Sequence, residues 1–256
     1  MFTLPISICF AEHIDSMKSD LGKYLPHIKS SHRVEALARA LGFQTYAALR
    51  ARDLFWSPIE TEVNWSAFRD YLKEKGFECT AKPLYLAVGR AAVRLILEMK
   101  ALEPNLTREG NGINTEHHKG ETREEYSRRF HQARLDMLLD SSIVEFLRSY
   151  SVVTRIPHTR TVTTKRGAYA LKHIAENASF TYPDGEESPP AYVCTGSLIC
   201  AALHAGFYYK PIPGSQGVNF NMLQKGIDDL DCEIRPDGAT AQTRVRKAAL
   251  KKGIIY

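Results

Sequence analysis

Apolar residues recur at helical spacing along most of this chain, and that recurrence constrains its fold more than any motif does. Val34, Leu37, Ala38 and Leu41 stand at i, i+3, i+4 and i+7, one helical face, and Gly42 follows where a helix stops. Trp65, Phe68, Tyr71 and Leu72 repeat the pattern between Asn64, a capping side chain, and Gly76. Residues 12–23 read as a short amphipathic helix, and 84–102 as a largely buried one stopped by Pro104. Residues 122–150 predict the longest helix, with a break near Asp140-Ser141. Ser30 or Ser31 is expected to cap a helix with Glu35 closing a capping box, and Thr45 to open a second short helix. The two form a helix-turn-helix unit.

Beyond residue 150 the pattern changes. Residues 151–156 and 159–164 are rich in β-branched side chains and predict strands, as do 192–194 and 207–212. Helices are predicted over 167–178, 195–205 and 239–252. Residues 105–120 are polar, with three glycines and two histidines, and read as a linker or long loop. The expected fold is α+β and predominantly helical. It comprises a helical domain over 1–104, the linker over 105–120, and an α+β domain over 121–256 with a small sheet.

No stretch approaches the roughly 20 apolar residues of a membrane helix. The apolar first ten residues lack a basic flank, so no signal peptide is expected. Five scattered cysteines without a C-x-x-C pair read as reduced, mostly buried thiols, and the expected location is cytoplasmic. The chain has neither a P-loop nor a G-x-G-x-x-G run, and Cys194-Thr195-Gly196-Ser197 lacks the frame of a nucleophile elbow. No cofactor and no metal site is expected.

Charge is segregated. Residues 1–145 balance 20 bases against 20 acids, whereas 146–175 hold six bases and no acid. Residues 176–238 are acidic, and 239–256 hold five bases and no acid. Segregation of this kind bears on partners rather than on fold. Arg155, Arg160, Lys165, Arg166 and Lys172 are interleaved with threonines, and Lys165-Arg166-Gly167 opens a predicted helix whose free N–H groups favour anions. The pattern suits a phosphate backbone. An acidic protein partner is the alternative, and so is pairing with the chain's own acids at 228–233 or 186–187. Arg244, Arg246 and Lys247 make the final helix basic, either as a second phosphate contact or as a solvated terminus. Arg50, with Gln44 and Arg52, points outward from the helix-turn-helix unit and would be its contact to DNA; a plain helical hairpin is the competing reading.

Catalytic signals are weak. Tyr169, Lys172 and His173 share one helical face, as acid–base chemistry or phosphate binding would require. Cys200 and His204, at i and i+4, make half a metal site, to which His117 and His118 would have to contribute. Packing and surface hydrogen bonding compete with each of these.

Two resemblances add context. The run from Ser31-His32 through Glu35-Ala36-Leu37-Ala38-Arg39-Ala40-Leu41-Gly42-Phe43 to Thr45-Tyr46-Ala47-Ala48-Leu49 resembles a small helical module of the glyoxalase-associated type. It covers about twenty residues, and no His/Glu metal pattern accompanies it. The Tyr169-x-Leu171-Lys172-His173 helix, followed by Tyr192-Val193-x-x-Gly196 and an Ala-rich helix, is similar to uncharacterised proteins of bacterial mobile elements, such as plasmids and phages. This resemblance implies a setting, not a chemistry. The leading expectation is a non-enzymatic, nucleic-acid-associated accessory protein of a mobile element. An adaptor or inhibitor of a host complex and an enzyme acting on a nucleotide or phosphorylated substrate stand behind it.

Overall fold

A computed structural model describes residues 2–52, 54, 57–98, 103–114, 118 and 120–251. The chain divides into two compact units, one of Met1–Pro104 with Phe180–Ser188, the other of Asn105–Ser179 with Pro189–Tyr256. The fold is predominantly helical α+β, with eleven α-helices and four two-stranded antiparallel sheets among the described residues.

The first unit opens on a strand, β1 (Pro5–Ile8), paired with β2 (Ile59–Glu62) from Pro5 opposite Glu62 to Ile8 opposite Ile59. Leu4, Ile6 and Ile8 alternate into the core at period two. Helix α1 (Ala11–Tyr24) buries Ile14, Met17 and Leu21 and lies on α5 (Lys82–Glu98). Buried Arg90 of α5 donates to Tyr24 Oη (2.8 Å) and pairs with Asp20, so the helix contact is fastened by charge at its rim. Helix α2 (Ser30–Ala40) lies on α4 (Trp65–Glu74), and α3 (Tyr46–Arg50) is a helix of five residues. Two expected caps form. Thr45 Oγ1 accepts from Ala48 N, and Asn64 Oδ1 from Ala67 N. The capping box expected at Ser30–Glu35 does not form; Lys29 is the cap, and Glu35 instead accepts from Tyr46 N (2.9 Å), tying α2 to α3. The end of the predicted 84–102 helix lies outside the described residues.

In the second unit, the expected linker begins as a hairpin, β3 (Leu106–Thr107) with β4 (Gly110–Asn111). Leu106, Thr107 and Ile113 are buried, so three apolar or β-branched side chains in a polar stretch suffice to hold it down. The predicted long helix over 122–150 breaks at a 3-10 turn, Asp136–Leu138, into α6 (Arg123–Leu135) and α7 (Asp140–Val153). Thr122 and Glu125 form a reciprocal capping box at its start. The strand predicted over 151–156 is instead the end of α7 and the turn after it. Val153 continues the buried stripe of Ile143, Phe146 and Tyr150, and packing overrides β propensity.

Helix α8 (Ala168–Glu176) follows, then the hairpin β5 (Phe180–Thr181) with β6 (Glu187–Ser188), which belongs to the first unit. There Tyr182 meets the Tyr85 ring (5.9 Å between centroids), and Asp184 Oδ2 accepts from Ala81 N (2.6 Å) at the start of α5. Helix α9 (Thr195–His204) returns to the second unit as the main partner of α7. The strand expected at 192–194 does not form; this segment enters α9, and Cys194 is its N-cap. Gly196 permits the close approach of β3, because a Cβ there would overlap the Thr107 carbonyl oxygen. Strands β7 (Tyr209–Pro211) and β8 (Val218–Phe220), then α10 (Gln224–Ile234) and α11 (Ala239–Lys251), complete the unit. No described helix is long and apolar enough to cross a membrane.

Candidate nucleic-acid interface

The six cations of the basic segment have different fates. Arg148 is only 2% exposed, and its guanidinium donates to the carbonyls of Pro189 (2.6 Å) and Ala191 (3.4 Å). Arg166 turns inward to α10, pairing with Asp228 (3.2 Å) and Asp231 (2.7 Å) and donating to Thr240 Oγ1 on α11. Arg155 pairs with Glu233 (2.5 Å). Lys172 is buried, its ammonium 3.4 Å from Glu176 and 4.4 Å from the Tyr192 ring centre. Arg160 and Lys165 are exposed and form no ion pair among the described residues. Much of the charge expected to meet phosphate is thus met by the chain's own carboxylates, as the self-pairing alternative anticipates for 228–233.

The same holds elsewhere. Arg244 pairs with Asp229 (2.8 Å), while Arg246 and Lys247 on the same helix are exposed. Arg50 pairs with Asp15 (3.2 Å), and Gln44 accepts from Arg39 (2.7 Å). Helix α3 is little more than one turn, too short to lay several side chains along a groove, so this unit is an αα-hairpin braced by α4. Lys252 lies outside the described residues.

What remains is organised by strand β8. His158 bridges Met222, Thr159 N donates to Asn221 O (2.8 Å) and Thr163 N to Phe220 O (2.9 Å). The loop advances four residues while β8 advances one, so the intervening residues bulge out. That mismatch is why 159–164 forms no regular strand, and it carries Arg160 to the surface. The loop ends at Gly167, where a Cβ would stand 2.7 Å from Val218 O. On the other edge of β8, Lys210 is opposite Asn219, so the two share the face away from buried Val218 and Phe220. Tyr208, two residues earlier and 46% exposed, falls on the same side, and its hydroxyl donates to Arg160 O. Lys210 is exposed without an ion pair among the described residues. Tyr208, Lys210 and Asn219 were not singled out by sequence reasoning; the signal for Asn219 is its place between apolar Val218 and Phe220, both buried.

Lys172 and His173 converge on Glu176, and Tyr169 stands against His173. His173 Nδ1 donates to Glu176 Oε2 (2.6 Å), and Tyr169 stands edge-on to His173 (4.5 Å, 90°). Burial pulls the Lys172 ammonium down, but Tyr192 and Glu176 more than offset it, and its pKa stands above the ordinary value. A lysine held cationic in this way serves poorly as a base. Cys200 is fully buried, and His204 packs its ring on Phe146 and Tyr150, 5.5 and 5.3 Å between centroids. No three metal-binding side chains cluster among the described residues; His117 lies outside them.

A separate buried network fastens the entry to α9. Glu145 accepts from Arg108 Nη2 (2.7 Å) and Cys194 N (2.9 Å), and the Cys194 thiol donates to Ser197 Oγ (3.1 Å). Burial, reinforced by the Glu145 carboxylate, pushes that thiol up to about 12. It is a structural cysteine rather than a nucleophile. The chain matches no protein-family model, no curated protein and no solved structure.

Proposed function

We propose that the second unit binds nucleic acid through the outward face of β7–β8 and the loop beside it, as an accessory factor of a mobile element. The observation that carries this reading is a set of cations that form no ion pair among the described residues. Arg160, Lys165 and Lys210 stay exposed in a unit that neutralises Arg155, Arg166 and Arg244 with its own acids. Thr161, Thr163 and Thr164 stand between Arg160 and Lys165 in the chain, and Asn219 stands opposite Lys210, as neutral phosphate donors. Arg246 and Lys247 supply further exposed charge on α11. The mobile-element setting rests on the resemblance of the α8–α9 region alone.

Fluorescence anisotropy with labelled DNA and RNA across a salt series tests the reading. Binding is expected to weaken steeply as salt rises, and Arg160→Glu with Lys165→Glu to cost about tenfold or more and flatten the slope by about two. Absence of salt-sensitive binding to either polymer would end it. Purification of a nuclease-resistant, stoichiometric protein partner would favour an adaptor instead.

A further inference from the structure

Resting on the nucleic-acid reading, we infer that the preferred ligand is single-stranded, with bases stacked on Tyr169 and Tyr192. Both rings are unusually open for tyrosines, Tyr169 67% and Tyr192 60% exposed. Neither dangles. Tyr169 is in the first turn of α8, braced edge-on by His173, which is itself held by Glu176. Tyr192 stands on the loop before α9, over the Lys172 ammonium, which is held by the same carboxylate. Glu176 Oε1 also accepts from Val193 N (3.4 Å), tying the Tyr192 loop back to α8. One buried-to-surface chain, Tyr169–His173–Glu176–Lys172–Tyr192, therefore fixes two aromatic platforms.

Fixing an exposed ring costs side-chain entropy and gains little unless a flat partner arrives. Duplexes hide base faces, whereas single strands offer one per nucleotide. The flanking charge suits the same ligand. Lys165 is four residues before Tyr169, and Arg160, whose carbonyl accepts from the exposed Tyr208, lies on the loop leading to it. Cations interleaved with aromatic rings are how sequence-tolerant single-strand binders hold backbone and bases together. Lys172 is not one of the backbone contacts, since its charge is already used beneath Tyr192.

The experiment compares labelled oligothymidine, oligouridine and a mixed-sequence duplex of equal length at one salt concentration, by anisotropy. Single strands are expected to bind at least tenfold tighter than the duplex. Tyr169→Ala and Tyr192→Ala should each cost about tenfold on single strands and little on the duplex, while Tyr169→Phe keeps the affinity. Independently of any variant, 2-aminopurine within the bound strand should change its fluorescence on binding the native protein, as a base restacked on tyrosine does. Equal binding of strand and duplex, or alanine variants that melt and bind like the native protein, overturns the inference while leaving nucleic-acid binding intact. Failure to bind any of the three polymers removes both readings. The thymidine and uridine arms separate DNA from RNA as the source of the strand.

Discussion

Asp231 is 1% exposed and gathers Arg166, Arg235 and the Thr240 hydroxyl around one carboxylate. Burial raises its pKa, but the three donors win and hold it below its ordinary 3.8. Asp231→Ala takes from Arg235 its carboxylate partner and leaves Arg166 with Asp228, and is expected to cost about 2 kcal/mol by urea unfolding. That is below the roughly 3–5 kcal/mol of a fully buried pair, because both arginines are partly solvated. A depressed carboxylate stabilises above its unfolded pKa and ceases to as pH falls through the folded one. The gap between native and Asp231→Ala should therefore be complete at neutral pH and close below about pH 4. At Cys194 the raised thiol predicts no alkylation by iodoacetamide at pH 8 in the native protein and ready alkylation once unfolded, read by mass spectrometry. Sequence showed which residues carry charge and named the acids at 228–233 as partners in one of its alternatives. It did not show that Arg166 meets Asp231 while Lys165, its neighbour, meets no acid among the described residues, because that depends on the side from which α10 approaches.

At the scale of elements, helices were legible, whereas of the four expected strands the one at 207–212 forms, as β7. The stripes of α2, α4 and α5 are long enough for period 3.6 to stand out, and Asn64 and Thr45 mark the starts of α4 and α3 by side-chain chemistry. The strands run two to four residues, too short for alternation to be distinctive; β1 was hidden in an apolar opening, and 151–156 is strand-like only out of context. The candidate interface suffers from the same shortness, since Lys210 lies within a three-residue strand and Tyr208 just before it. The junction of β3 with α9 offers a sharp test. Gly196→Ala drives a methyl into the Thr107 carbonyl, a backbone group that cannot swing aside, and is expected to cost about 3 kcal/mol in urea unfolding. Asp184→Ala, which removes the acceptor of Ala81 N at the start of α5, should cost only about 1 kcal/mol.

For the whole molecule, the boundary at residue 104 expected from the sequence is also the edge of a compact unit, but the first unit takes Phe180–Ser188 from the far side of α8. Composition cannot reveal such a loan, because a nine-residue hairpin looks like any polar turn until Tyr182 is seen against Tyr85. A fragment of residues 1–104 is expected to melt broadly or lower by circular dichroism, and attaching 180–188 through a short Gly/Ser linker to sharpen the transition. Equal melting of the two fragments would show the hairpin to be dispensable. The loan has a hereditary side. A recombination event that joins this chain to another at residue 104 carries off a unit missing its last piece. Only an exchange spanning the codons through residue 188 transmits the first unit whole, and such an exchange necessarily splits the second.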